Sequence, residues 1–365
     1  MFTGHDVVWI DQRGVGRSDG VTDCPDLAKY PVEIQTGNLG KPAVDAFQAC
    51  FKLAENNAVP FASIFDHGVV AADYSVVRRA LGIASWSLYA GSAGADIAVH
   101  LVNLEPQTIK AIVTRSPTAV GAGLSPNNLA DAFARYAADC AAAPKCAANG
   151  DLRAVVAAIY EREKTPIVTK TIEKGTGIAA VLDHQNLFGG IESAMGNVAL
   201  SPGLPGLLKG IVDGSTDEAV AGAFASYPYD TFAWGFPGNC GDDDYVAPGL
   251  VHTESDHAGI FATYSSADVC SQYGPIPKRT VPPKVTSDIP VLAVIPSYDA
   301  RSSDTTAAAV FAGFSTTTIV DVPRIVDPLT QLTDCFYATA NTFLADPAGK
   351  LDTSCLTSPA VSTLS

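Results

Sequence analysis

Along the chain, short apolar runs bounded by glycine or proline alternate with segments whose apolar positions recur every three to four residues. Residues 6–11 (DVVWID) are an apolar run ending at the glycine turn of residues 12–16, the pattern of a buried parallel strand. Residues 69–82 have helical spacing and stop at Gly82, a residue suited to the left-handed position after a helix. Residues 86–90 read as a strand, 91–94 as a sharp turn, 95–104 as a helix closed before Pro106, and 109–114 as another strand. Strand and helix alternating at this spacing predict an α/β fold, with a mostly parallel central sheet flanked by helices.

From about Thr118 the pattern changes. Helical segments such as 128–142 and 151–164 dominate, with Pro/Gly-rich connections at 201–206 and 236–249. This stretch predicts a helical cap inserted between two parts of the core. It ends at Pro282 and Pro283, after which 288–295 reads as a buried strand, 305–313 as a helix, 318–322 as a strand and 334–344 as a closing helix. The expected organisation is core in 1–117, cap in 118–286 and core again in 287–365.

Composition narrows the class. The 365 residues carry a formal net charge of −15, with 47% hydrophobic and 17% charged residues. That balance is far from disorder. A sequence pI near 4.7 argues against nucleic acid, which needs clustered Lys and Arg, and against anionic membrane surfaces. No apolar run is long enough to span a bilayer.

The eight cysteines are Cys24, Cys50, Cys140, Cys146, Cys240, Cys270, Cys335 and Cys355. They show no CxxC and no zinc spacing, so no metal or other cofactor is expected. Pairing of sequence neighbours (24–50, 140–146, 240–270 and 335–355) is the expectation, and with it an oxidising compartment, secreted or periplasmic. No basic n-region and apolar h-region of a secretory leader precedes the first predicted strand.

The chemistry concentrates at Leu88-Tyr-Ala-Gly-Ser92-Ala-Gly94. A serine with small residues two before and two after, between a strand and a helix, sits on a strained turn that exposes its hydroxyl above the sheet. The helix N-terminus then faces the charge that develops in acyl transfer, and the Ala93 N–H is a candidate oxyanion donor.

These stretches resemble the α/β-hydrolases of the tripeptidyl aminopeptidase and prolyl aminopeptidase type. The resemblance rests on DVVWIDQRGVGRSDGVTDCP (6–25), DYSVVRRALGIASWSLYAGSAG (73–94), DCAAAPKCAANGDL (139–152), SDIPVLAVIPSYDA (287–300) and FLADPAGKLDTSCL (343–356), which span nearly the whole chain. It implies a secreted, disulfide-bridged monomer that hydrolyses small peptides, amides or esters through an acyl-enzyme on Ser92, in the manner of an exo-aminopeptidase. Acidic cap residues often hold the substrate amine in such enzymes; Glu192 and Asp242, Asp243 and Asp244 are the candidates, with solvated surface as their plainer reading. The resemblance also implies strands and a His-Gly-Gly-Pro-Gly-like oxyanion loop before residue 6. The expectation is therefore that the core lacks its earliest strands and that Met1 is a misplaced start or marks a truncation.

The same resemblance implies a Ser–Asp–His triad in that chain order, with the acid at Asp299. The base position falls in Val-Pro-Gly-x-Gly-His, matched here by Val322-Pro-Arg-Ile-Val-Asp327, so Asp327 stands where histidine is expected. No histidine lies beyond His257. A carboxylate is a weak base toward serine unless burial raises its pKa. His252 and His257 in the cap are alternative bases; His100 reads as structural, and His5, His67 and His184 lack supporting context. A hydrolase-fold protein that binds a ligand without turnover is thus the second functional expectation.

Overall fold

In a computed structural model, the described residues are 2–13, 17–18, 26, 29–30, 40–56, 66–118, 126–162, 167–169, 180–182, 190–192, 194–196, 198–213, 280–327, 329, 332–358 and 364. A helix that the sequence pattern did not single out, α1 (Gly40–Asn56), comes first. Next is α2 (His67–Ala80), capped by the Asp66 carboxylate on the Val69 N–H. It ends in a Schellman motif, in which Gly82 (φ +67°) donates to the Arg79 carbonyl and Ile83 to that of Arg78. The strand β1 (Trp86–Gly91) leads into α3 (Gly94–Leu104), and β2 (Ile109–Arg115) follows. All of these except α1 lie within a few residues of the predicted elements.

The long excursion after β2 contains α4 (Pro126–Ala142), α5 (Pro144–Ala147), α6 (Leu152–Arg162), a short antiparallel pair β3 (Ile167–Thr169) and β4 (Ala180–Leu182), and α7 (Leu204–Val212). The β3–β4 pair interrupts a stretch that the pattern describes as helical. The chain then returns through β5 (Val291–Pro296), α8 (Asp304–Val310), β6 (Thr317–Val322), α9 (Thr333–Ala345) and α10 (Ser354–Thr357).

Four parallel strands form one sheet in the order β1-β2-β5-β6. All six residues of β5 are buried, as a central parallel strand requires. On one side of the sheet Ala95, Ala98, Val99 and Val102 of α3 pack with Ile112 and Val291; on the other, Phe336, Ala340 and Phe343 of α9 pack with Val113, Leu292 and Val320. A separate apolar cluster joins α4, α6 and α7 and takes in Tyr298, Ala300 and Val326 from the loops beyond β5 and β6.

Residues 6–11 are a correction. They form no strand, and Val7, Val8 and Trp9 are 43%, 41% and 77% exposed. The segment is fixed at its ends instead: the Phe2 ring meets Tyr89 and Tyr337, and Arg13 grips Asp73 with Nε and Nη2. Among the described residues no strand pairs with the outer edge of β1. Without a ladder the segment's backbone has few protein partners, such as the Ser18 hydroxyl on the Asp11 carbonyl, and it stays exposed.

Two of the expected disulfides are present, Cys140–Cys146 and Cys335–Cys355. The pairings 24–50 and 240–270 fall outside the described side chains, as do Asp242, Asp243, Asp244, His184, His252 and His257. No described helix is long and apolar enough to cross a membrane.

Candidate active site

Parallel strands place their C-terminal ends along one edge of the sheet, and the residues singled out from the sequence gather there. Ser92 follows β1 with φ +52°, left-handed backbone that costs a non-glycine residue about 1–2 kcal/mol. The conformation is imposed from both sides. The Ser92 N–H donates to the Arg115 carbonyl at the end of β2, and the Ser92 carbonyl accepts from Ala95 and Thr118. The turn therefore reverses directly into α3 and leaves Ser92 exposed. A Cβ on Gly94 would meet the Cβ of Ala90 at 3.7 Å, ordinary contact, which is why alanine is accommodated at that first small position. The Ala93 N–H makes no hydrogen bond among the described residues, as a candidate oxyanion donor requires.

Asp299 lies in the loop after β5 and is 4% exposed. Its Oδ1 accepts from the Arg301 N–H at 2.8 Å and the Ser302 N–H at 3.3 Å. Burial, with a smaller contribution from the Asp327 charge, pushes its pKa up to about 6 against these donors. Asp327 is brought to the same place by the loop after β6. That loop folds back on the β5 loop: Ser297 donates to the Val322 carbonyl, Tyr298 to that of Ile325, and the Arg324 N–H to Ser297 Oγ. Arg324 has φ +61°, at the place where the resembling pattern has glycine.

Asp327 is occupied. Arg115 Nε stands 2.9 Å from its Oδ1, in an ion pair about one quarter exposed at both partners. Burial raises the Asp327 pKa, and Arg115 pulls it back. The buried Ser116 hydroxyl, on a second left-handed backbone (φ +50°), faces both carboxylates. Sequence reasoning missed Arg115 and Ser116. Their signal was positional: they are the residues that end the apolar β2 run, at the sheet edge where Ser92 lies.

The other candidates divide differently. Glu192 is neither free nor solvated: its carboxylate is 2.5 Å from Arg301 Nε, and its side chain is 13% exposed. His67 and His100 converge on Asp96, which is fully buried in the first turn of α3; His67 Nδ1 bonds Asp96 Oδ2, and His100 Nε2 lies 3.9 Å from Oδ1. Helical spacing shows the Asp96/His100 pair, but only the fold brings in His67.

The loop carrying Asp299 is tied to α4. Arg135 Nε donates to the Ser297 carbonyl at 2.8 Å, Asn128 to the Arg301 carbonyl at 3.2 Å, and Tyr298 Oη to Asp139 at 2.5 Å. Among the described residues no group of His, Cys, Asp and Glu side chains is placed to hold a metal.

Residues 2–156 match the family model described as the alpha/beta hydrolase fold. No curated protein matches the chain. Solved structures similar to it include an alpha/beta hydrolase enzyme from a Medee basin deep-sea metagenome library (15% identity, 79% of this chain and 74% of that one, TM-score 0.35). A thermophilic esterase from Thermogutta terrifontis is similar at 13% identity over 76% and 72% of the two chains (TM-score 0.32). The proline iminopeptidase of Mycobacterium smegmatis is similar at 14% over 78% and 73% (TM-score 0.33). With its parallel sheet and flanking helices, the fold is that of an α/β-hydrolase.

Proposed function

We propose that the chain is a serine hydrolase acting on small peptides, amides or esters through an acyl-enzyme on Ser92. The observation that carries this reading is the backbone of Ser92: left-handed, at the junction of β1 and α3, with its side chain exposed. Such strain persists only where neighbouring structure enforces it, and a nucleophile between a strand and a helix is where it serves a reaction. In this reading Ser92 Oγ attacks the substrate carbonyl, Ala93 N–H receives the oxyanion, and Asp299 is the acid at the expected place. Asp327 occupies the base position as a partner of Arg115, so proton removal from Ser92 is slow. An exo-aminopeptidase specificity belongs to the resemblance; Glu192, held by Arg301, gives it no support. The two disulfides favour a secreted or periplasmic chain, and a monomer is the working state.

One observation favours a second reading, a ligand-binding protein without turnover: the Arg115–Asp327 ion pair stands where an imidazole would act. Labelling with a fluorophosphonate probe separates the two. Incorporation that Ser92→Ala abolishes supports the hydrolase. A folded wild-type chain that never labels overturns it and leaves the binding protein.

A further inference from the structure

Arg115 has more donors than partners. A guanidinium carries a planar fork of N–H groups; here Nε stands 2.9 Å from Asp327 Oδ1 in an ion pair that lacks hydrogen-bond geometry. Neither Nη nitrogen has a partner among the described residues. The fork lies over the serine turn: a Cβ placed on Gly91 would sit 3.8 Å from Nη2, and the backbone carbonyl of Arg115 holds the Ser92 N–H. The side chain is partly exposed, at 27%. Asp327 thus holds, by charge, a cation that lies next to the residue before Ser92 and leaves its outer donors unused. The acidic groups around it are accounted for. Asp299 is buried under its own loop, Glu192 is held by Arg301, and Asp327 is the anchor.

We infer that Arg115 is a recognition residue for a carboxylate on the ligand, so that the site takes peptides, amides or esters bearing a free acid close to the reacting carbonyl. Planar bidentate pairing is what a guanidinium offers a carboxylate and an ammonium does not. This inference rests on the reading of Ser92 as the group at which ligands are held. It points away from the free-amine end of a peptide: among the described residues the unused charge beside Ser92 is positive, and the acid expected to take an amine is already paired.

Equilibrium binding tests it without turnover. N-Acetylalanine and N-acetylalaninamide differ only in carboxylate against amide, and their affinities for the intact chain are measured by titration calorimetry. The wild type is expected to favour the acid by about tenfold or more. Arg115→Gln is expected to lose that preference, and Arg115→Lys to keep only part of it. Ser92→Ala is expected to keep it whole. Because Arg115→Gln leaves Asp327 unpaired, Arg115→Gln/Asp327→Asn provides a second variant with the same expected loss. Equal affinities in the wild type, or a preference that survives both Arg115 variants, overturn the inference. A preserved carboxylate preference in a chain that fluorophosphonates never label sustains it while the hydrolase reading fails.

Discussion

The turn after β1 and the loops after β5 and β6 meet at the same sheet edge but are made in opposite ways. The Ser92 turn is local: the six residues of β1, Ser92, Ala93 and the start of α3 supply the strand, the small residues and the helix. Its strain serves exposure of the hydroxyl. The acid side is assembled from afar. Asp299, Asp327, Arg115 and Ser116 come from the ends of three strands, and Asp327, at the position where the resemblance expects histidine, is paired with Arg115. In the proposed reading, preparing a nucleophile and preparing its base are separable tasks, the first kept at the Ser92 turn and the second altered at Asp327.

The largest expected effect breaks the contrast outright. Asp327→His places an imidazole beside Asp299, and the rate of Ser92 labelling should rise by about 10²-fold or more. An unchanged rate in a folded variant means that residue 327 is not the base position. Next comes Asp299, whose carboxyl has its pKa raised on folding to about 6. An acid that binds its proton more tightly when folded contributes most to stability below its unfolded pKa. That contribution is lost as pH rises to about 6. Asp299→Asn should therefore be more stable than wild type above pH 6, by up to about 3 kcal/mol, with the difference vanishing below about pH 4. Urea unfolding at both ends of that range measures it, and a difference independent of pH refutes the assignment.

The two left-handed residues sharpen the comparison at smaller scale. Ser92→Gly relieves the elbow and should gain about 1 kcal/mol while abolishing labelling. Arg324→Gly should gain a similar amount, with labelling unchanged. The stability gain at both positions measures the backbone strain, and retained labelling in Arg324→Gly shows that strain at Arg324 does not serve Ser92; no gain in either variant would refute the strain. Smallest is Tyr298→Phe, which removes the bond to Asp139 and should cost about 1 kcal/mol in thermal unfolding. A neutral result would show that α4 does not hold the acid loop through this hydroxyl.

What was legible in the sequence follows the same division. The β1–Ser92–α3 unit and the Gly82 helix end were readable because each depends on residues next to one another. The meeting of Asp299 with Asp327 was inferred from a resemblance, and the loops place them together. The role of Arg115 was not legible, since an arginine ending an apolar strand looks like any solvated charge until residue 327 folds against it. Residues 6–11 misled for a related reason. An apolar run predicts a strand, but a strand exists only where another edge accepts its ladder.

Arg135 and Asn128 hold the acid-bearing loop by the carbonyls of Ser297 and Arg301. Every amino acid carries that carbonyl. That part of the grip is therefore blind to the side chains at 297 and 301, while Tyr298 adds a side-chain tie of its own. A loop fastened at these two positions by its backbone leaves side chains 297 and 301 open to change without loss of those two bonds. For anyone reshaping this protein, side chains 297 and 301 are the variables, and α4 with the Tyr298 tie is the constant.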